Sequence, residues 1–276
     1  LYVEKWRLLA RLVREVAPNV ALVWTPFFVG DDSIPLERYY PGDEYVDWVG
    51  INFYSDYYFN RTVPASDVPP FRHLEDIYSR YALRKPVMIG EFGIANRDYR
   101  RGVESPEEVT DWAARWIKAF YAYLPVLFPR VKALTYWSVD QARTPNPWGW
   151  EIIRSSYLLS EKGPVLAAYR SAVSSPYYLS RVESRGEEGS GSRERIWLPL
   201  PHLPLRAGRE ELVAYVRWPG RWPEEVAYFL NGREIGRSQE PPYTLEFDFT
   251  PYRGQTVLLE VRARSSRGET VSFSAR

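Results

Sequence analysis

The chain of 276 residues has no cysteine, one methionine and two histidines, His73 and His202, far apart in sequence. Without cysteine there is neither a disulfide framework nor a thiolate metal site, and the redox compartment stays open. Two isolated histidines argue against a zinc enzyme and against a histidine-based catalytic triad, and no metal site is expected. No stretch reaches the roughly 18 uninterrupted apolar residues of a membrane-spanning helix, so no membrane partner is expected. Charge of one sign is also missing. With 36 Lys+Arg against 35 Asp+Glu the net charge is +1, which excludes the lopsided balance of a nucleic-acid or polybasic membrane binder.

What the sequence does have is aromatic: 11 Trp, 21 Tyr and 12 Phe, 16% of the chain. These residues fill cores, but an excess of Trp and Tyr also suits flat, amphipathic ligands, of which sugars are one. The length allows one large or two modest domains with ample core.

Up to about residue 175, short apolar runs alternate with helical stretches. The segments 19–27 (NVALVWTPF), 46–54 (VDWVGINFY), 86–94 (PVMIGEFGI) and 131–140 (VKALTYWSVD) read as strands. They are nearly continuous in apolar residues, as parallel strands covered on both faces are. The opening segment YVEKWRLLARLVREVAP is an amphipathic helix, with Trp6, Leu9, Val13 and Val16 at helical spacing. Because Leu1 enters this helix directly, with neither Met nor a leader pattern, the chain is expected to be a processed product or part of a longer sequence. A second helix is expected over Phe71–Leu83. A third starts at Ser105-Pro106-Glu107-Glu108, a capping box with proline at the first helical position, and ends near Pro125. A fourth follows Pro164. Such alternation implies an α/β fold with a parallel sheet.

The grammar changes after Pro176. Residues 184–195, SRGEEGSGSRER, carry no large apolar side chain and read as a linker or exposed loop. Beyond them, short β-prone runs are separated by PG, NG, PPY and RG turns, and Asn231-Gly232 is a strong two-residue hairpin signal. No helix pattern intervenes, which points to a small β-sandwich. The expected domains are therefore 1–183, a linker 184–195, and 196–276.

In an α/β barrel, chemistry sits at the C-terminal ends of the strands. Those ends carry Trp24, Tyr54, Glu91, and Trp137 with Asp140. Glu91 stands between Gly90 and Phe92 in a run otherwise without charge, and a buried carboxylate is costly unless paired or hydrogen-bonded. It is either a structural tie to an arginine or a catalytic group. A carboxylate among Trp and Tyr, with no metal or thiol cluster, matches glycoside hydrolysis better than most reactions; that chemistry uses two carboxyl groups and no cofactor.

YYPGDEYVDWVGINFY (39–54), KPVMIGEFG (85–93) and LTYWSVD (134–140) together resemble the second half of family 26 glycoside hydrolases. Their best-known members are retaining endo-β-1,4-mannanases with a (β/α)8 barrel. The resemblance covers about residues 1–175 and implies that the four strands are barrel strands five to eight. It implies that Glu91 is the catalytic nucleophile, that Tyr54 positions it, and that Trp137 floors the sugar subsite where cleavage occurs. Trp24 is either a cleft residue or a core residue, and Trp148 and Trp150 in NPWGWE are candidate sugar platforms. The family's acid/base is a Glu at the end of strand four, usually just after a His; on this reading it precedes Leu1, and the chain alone is inactive. The implied partner is a polysaccharide, mannan or a related β-glycan, and the implied location is extracellular. Activity on β-1,3-1,4-glucan or xylan, and a non-catalytic carbohydrate-binding role, are the alternatives. The tail resembles bacterial immunoglobulin-like modules appended to secreted glycosidases.

Overall fold

The computed structural model describes residues 1–26, 35–56, 71–100, 103–104, 108–142, 153–179, 197, 200, 205–216 and 223–276. The elements in chain order are α1 (Tyr2–Val16), β1 (Val23–Trp24), β2 (Trp48–Ser55), α2 (Phe71–Tyr81), β3 (Val87–Ile94), β4 (Arg97–Arg100) and β5 (Val103–Glu104). They continue with α3 (Glu108–Leu127), β6 (Val131–Tyr136), β7 (Ile153–Ser156) and α4 (Gly163–Val173), and then six strands, β8 to β13. The chain divides into two compact units, Leu1–Ile117 with Phe128–Arg170, and Lys118–Leu127 with Ser171–Arg276.

In the first unit β1, β2, β3 and β6 form a parallel sheet in that order. Helices α2 and α3 lie in the connections from β2 to β3 and from β3 to β6. A sequential, all-parallel order is consistent with part of a (β/α)8 barrel. Alternation along β2 explains the packing: Val49, Ile51, Phe53 and Ser55 are buried, while Asn52 and Tyr54 are not, because successive side chains leave a strand on opposite faces. Leu74, Ile77 and Tyr81 of α2 are buried too, as their helical spacing requires. The lead-in to β2 is pinned at its base. The Asp47 carboxylate accepts from Leu22 N at 2.7 Å and pairs with Arg14 of α1 at 3.3 Å, and Trp6 Nε1 donates to the Tyr45 carbonyl at 3.0 Å.

Four details differ from the sequence reading. In α1 the protected side is Val3, Trp6, Ala10 and Val13, whereas Leu9 is 53% exposed and Val16 79%. The expected first strand, 19–27, shrinks to two residues, Val23 and Trp24. Helix α3 continues through Pro125. Proline has no N–H to offer the carbonyl four residues back, and that carbonyl, of Tyr121, instead accepts from the Tyr178 hydroxyl at 2.6 Å. A small antiparallel sheet, β5-β4-β7, was not expected from the sequence.

The second unit contains β8 (Arg209–Val213), β9 (Glu225–Leu230), β10 (Arg233–Ser238), β11 (Thr244–Asp248), β12 (Leu259–Arg264) and β13 (Thr270–Ala275). They make two antiparallel sheets, β10-β9-β12-β13 and β11-β8. The β9–β10 hairpin turns on Asn231 and Gly232 at φ 49° and 81°, the two positive values that this tight turn needs. Val226, Tyr228, Leu230, Leu259 and Ala263 fill the interior. Residues 118–127, read from sequence as part of the α/β domain, cluster with this unit: the Tyr123 hydroxyl donates to the Ala214 carbonyl at 2.8 Å, and its ring lies 5.0 Å from that of Tyr215. The expected linker, 184–195, lies outside the described residues. Among the described residues no helix is long and apolar enough to cross a membrane.

Candidate active site

The C-terminal ends of β2, β3 and β6 bring Tyr54, Glu91 and Trp137 to one end of the parallel sheet. Glu91 owes its aim to an irregularity in β3. Ile51 pairs with Ile89, but the next residue of β2, Asn52, pairs with Glu91, so Gly90 is an extra residue on β3. Burial shows the consequence: Val87 and Ile89 are buried before it, Phe92 and Ile94 after it. The parity of the buried face changes at the bulge, as an inserted residue demands. Without that insertion Glu91 would follow Val87 and Ile89 into the packed layer. Gly90 must also be small, since a Cβ there would stand 2.7 Å from Asn52 Oδ1.

So aimed, the Glu91 carboxylate accepts a hydrogen bond from the Tyr54 hydroxyl across the strand pair. Burial, and then the bond and charge of Glu91, raise the Tyr54 pKa well above that of a free phenol. Tyr54 therefore stays protonated and acts as a donor. Its ring lies 5.3 Å from that of Tyr157, and the Tyr157 hydroxyl donates to Asp56 Oδ1 at 2.6 Å. Burial pushes the Asp56 carboxyl above the usual carboxylate range, against hydrogen bonds from Tyr157 and Ser155 that lower it.

Gly93 completes this packing. A Cβ on it would lie 2.8 Å from Tyr157 Cδ1 and 3.2 Å from Tyr54 Cδ1, so both rings rest against bare backbone. Gly93→Ala is expected to force the two tyrosines apart and to lower stability by about 1–3 kcal/mol, the usual cost of overpacking. Urea unfolding measures it; an unchanged midpoint would contradict the packing described.

Trp137 N donates to the Phe92 carbonyl at 2.7 Å, which fixes its backbone beside the residue that follows Glu91. Its indole is partly exposed, while Nε1 is buried with no hydrogen-bond partner among the described residues. Trp24, read from the sequence as either a cleft or a core residue, has core surroundings. It is wholly buried, edge-on to the rings of Tyr40 at 5.0 Å and Tyr81 at 5.5 Å. Its position at the start of the sheet turns the ring toward α2, where it serves the core. Trp148 and Trp150 lie outside the described residues.

Asp140 is held close by, in an ionic cluster. Arg97 reaches it at 3.3 Å and Glu161 at 2.6 Å, and all three side chains are largely buried; Ser156 Oγ donates to Glu161 at 2.6 Å. Asp56 and Tyr157 are the neighbours of Glu91 and Tyr54 that the sequence reading missed. Asp56 had a usable signal, since it follows Tyr54 by two residues and so shares its face; Tyr157, 101 residues away, had none. Among the described residues no group of three or more His, Cys, Asp or Glu side chains is placed to hold a metal ion.

No protein-family model matches the chain, and no curated protein matches it significantly. Among solved structures it is similar to an endo-β-1,4-mannanase double mutant from Cellulomonas fimi, at 17% identity and a TM-score of 0.40 over 99% of this chain and 57% of that one. The endo-β-1,4-mannanase from Thermotoga petrophila gives 14% identity and a TM-score of 0.37 over 99% and 60%. A calcium-binding mutant of β-glucuronidase 2 from Bacteroides uniformis gives 16% and 0.37 over 99% and 30%. The chain thus spans between 30% and 60% of the length of these structures. At such scores the likenesses establish neither a family nor a reaction.

Proposed function

We propose that the chain carries the nucleophile side of a retaining glycoside hydrolase site of the family 26 type, acting on β-1,4-mannan. One observation carries the reading: a carboxylate at a parallel strand's C-terminal end, re-aimed by a bulge and held by the hydroxyl of a tyrosine on the next strand. The motifs around Tyr54, Glu91 and Trp137 add the family-level expectation. Glu91 attacks the sugar's anomeric carbon, the bond from that carbon to the leaving oxygen breaks, and a glycosyl ester forms. Tyr54 keeps the carboxylate oriented before attack, and Trp137 offers its indole to the sugar's apolar face. Hydrolysis of the ester by water then releases the sugar and regenerates Glu91.

A retaining mechanism needs a second carboxyl about 5–5.5 Å from the first. In the family it is a Glu usually just after a His; here His73 and His202 are each followed by leucine. The proposal therefore takes the acid/base from outside these 276 residues. It also reads the second unit as an immunoglobulin-like accessory module, and the complete protein as one that meets its polymer outside the cell.

Loss of the acid/base matters most for a sugar alcohol leaving group, which must be protonated, and least for a dinitrophenolate, which need not be. General acid help is worth roughly 10²–10⁴-fold. With 2,4-dinitrophenyl β-mannobioside the chain is expected to release a burst approaching one equivalent of phenolate, then to turn over slowly. Mannan itself is expected to yield no new reducing ends. Turnover of mannan would overturn the missing acid/base. A burst from the glucosyl or xylosyl analogue and none from the mannosyl one would overturn the substrate, and no burst from any of the three would overturn the hydrolase.

A further inference from the structure

Tyr54 makes its bond to Glu91 at the tip of a long side chain, and something must hold the ring that carries the hydroxyl. On one side it rests on the backbone of Gly93; on another it meets the Tyr157 ring, 5.3 Å away and inclined by 50°. Tyr157 is 4% exposed. It is fixed at both ends, with N donating to the Val139 carbonyl at 2.9 Å and the hydroxyl donating to Asp56 at 2.6 Å. Asp56 lies immediately after the end of β2, two residues after Tyr54. The contacts therefore close a ring: the end of β2 presents Tyr54 to Glu91 and, through Asp56, grips the residue that holds Tyr54 in place.

Other tyrosine hydroxyls of this chain use both kinds of acceptor: those of Tyr123, Tyr136, Tyr228 and Tyr243 donate to the main-chain carbonyls of Ala214, Ile94, Tyr243 and Pro223, and that of Tyr40 donates to the Asp43 carboxylate. Tyr54 and Tyr157, in contact with each other, both donate to carboxyl groups. Enclosing a carboxyl is costly, and its hydrogen bonds are shorter and stiffer than those of an amide carbonyl when it is ionised. We infer that Asp56 and Tyr157 are positioning residues: Asp56 locks the Tyr157 hydroxyl, Tyr157 locks the Tyr54 ring, and Tyr54 is thereby held on Glu91 through the reaction.

The inference rests on Glu91 as nucleophile, and it gives the lock a task. When Glu91 forms its ester, the carboxylate loses the charge that attracts the Tyr54 hydroxyl. A ring held only by that bond would drift, whereas one clamped from behind stays where the departing carboxylate needs its donor. Preorganised donors of this kind act without reorganisation during the reaction.

A double-mutant cycle on the full chain tests this. Asp56→Ala is expected to slow the phenolate burst about tenfold, the scale of a sub-ångström misplacement, while leaving half-saturation within about twofold. Asp56→Asn keeps an oxygen for the Tyr157 hydroxyl and is expected to recover the rate to within about threefold of wild type. In a Tyr54→Phe background, Asp56→Ala is expected to add less than about twofold, because its effect passes through Tyr54. Where Asp56→Ala does not fold, Tyr157→Phe, which keeps the ring and loses the grip, takes its place in the cycle.

The second readout needs no substrate: the Tyr54 hydroxyl proton resonance, identified by its disappearance in Tyr54→Phe. Its exchange with water is expected to quicken in Asp56→Ala and not in Asp56→Asn. Multiplicative effects in the cycle, or an unchanged resonance in Asp56→Ala, would overturn the inference. If wild type gives no burst, the hydrolase reading fails, and the resonance alone decides whether Asp56 acts through Tyr54.

Discussion

Glu91→Ala is expected to abolish the dinitrophenolate burst, slowing release by on the order of 10⁴-fold or more, because in the proposed mechanism Glu91 forms the covalent bond at the anomeric carbon. The variant is expected to keep its fold, since Glu91 is only partly buried and its hydrogen-bond partner Tyr54 keeps its ring packing on Tyr157 and Gly93. The vacated space also admits a small anion. Azide is therefore expected to restore phenolate release in part, attacking the anomeric carbon from the side Glu91 used and leaving an α-glycosyl azide. The product's configuration is as diagnostic as the rate. Release that persists at the wild-type rate in Glu91→Ala, or a β-configured glycosyl azide from that variant, would remove Glu91 from the reaction.

The largest effect on stability is expected from Trp24→Ala, a loss of about 3–5 kcal/mol, or about ten degrees in Tm. A fully buried indole wedged between Tyr40 and Tyr81 leaves a cavity that neighbouring rings cannot refill. Trp24→Phe separates the two readings of this residue. The Trp24 Nε1 group is buried without a hydrogen-bond partner among the described residues, so removing it relieves a polar group that costs about 1–3 kcal/mol. The packing lost with the smaller ring outweighs that relief, and the expected net loss is about 1 kcal/mol. Neither the burst rate nor half-saturation is expected to change in Trp24→Phe. A sugar platform would behave in the opposite way, with binding impaired and Tm hardly touched; thermal unfolding beside the burst assay shows which holds.

The fate of Trp24 illustrates how far the sequence can be read. Period and composition located β2, β3 and β6 to within a few residues, because continuous apolar runs between helical stretches have few other uses. They also located the Asn231-Gly232 turn, whose φ values only a few residue types tolerate. The face that each strand residue takes is a different matter. The run Val-Met-Ile-Gly-Glu-Phe-Gly-Ile is apolar on both parities, so nothing in it marks the bulge that decides where Glu91 points. Trp24 sits in a strand only two residues long, too short for alternation to assign a side.

The antiparallel sheet of β4, β5 and β7 was hidden for another reason. Arg97-Asp98-Tyr99-Arg100 has no apolar period, and its partner Ile153–Ser156 lies more than fifty residues on. Pairing across that distance is fixed by what the loop closes over rather than by local preference. The same holds at the site. Glu91 and Tyr54 could be nominated from their strand ends, but Tyr157 joins them only when the chain after β6 folds back.

The central claim is that the Glu91 carboxylate forms a bond to a sugar, and mass spectrometry of a trapped ester tests it most directly. A 2-deoxy-2-fluoro β-mannobioside with a dinitrophenolate leaving group reacts with the nucleophile without acid assistance, and the fluorine slows release of the ester. After proteolysis, one added fluoromannobiosyl mass is expected on the peptide containing Glu91, absent from Glu91→Ala and prevented by excess unlabelled mannobiose present during labelling. A label on any other carboxylate, or an unmodified chain after prolonged incubation, would contradict it.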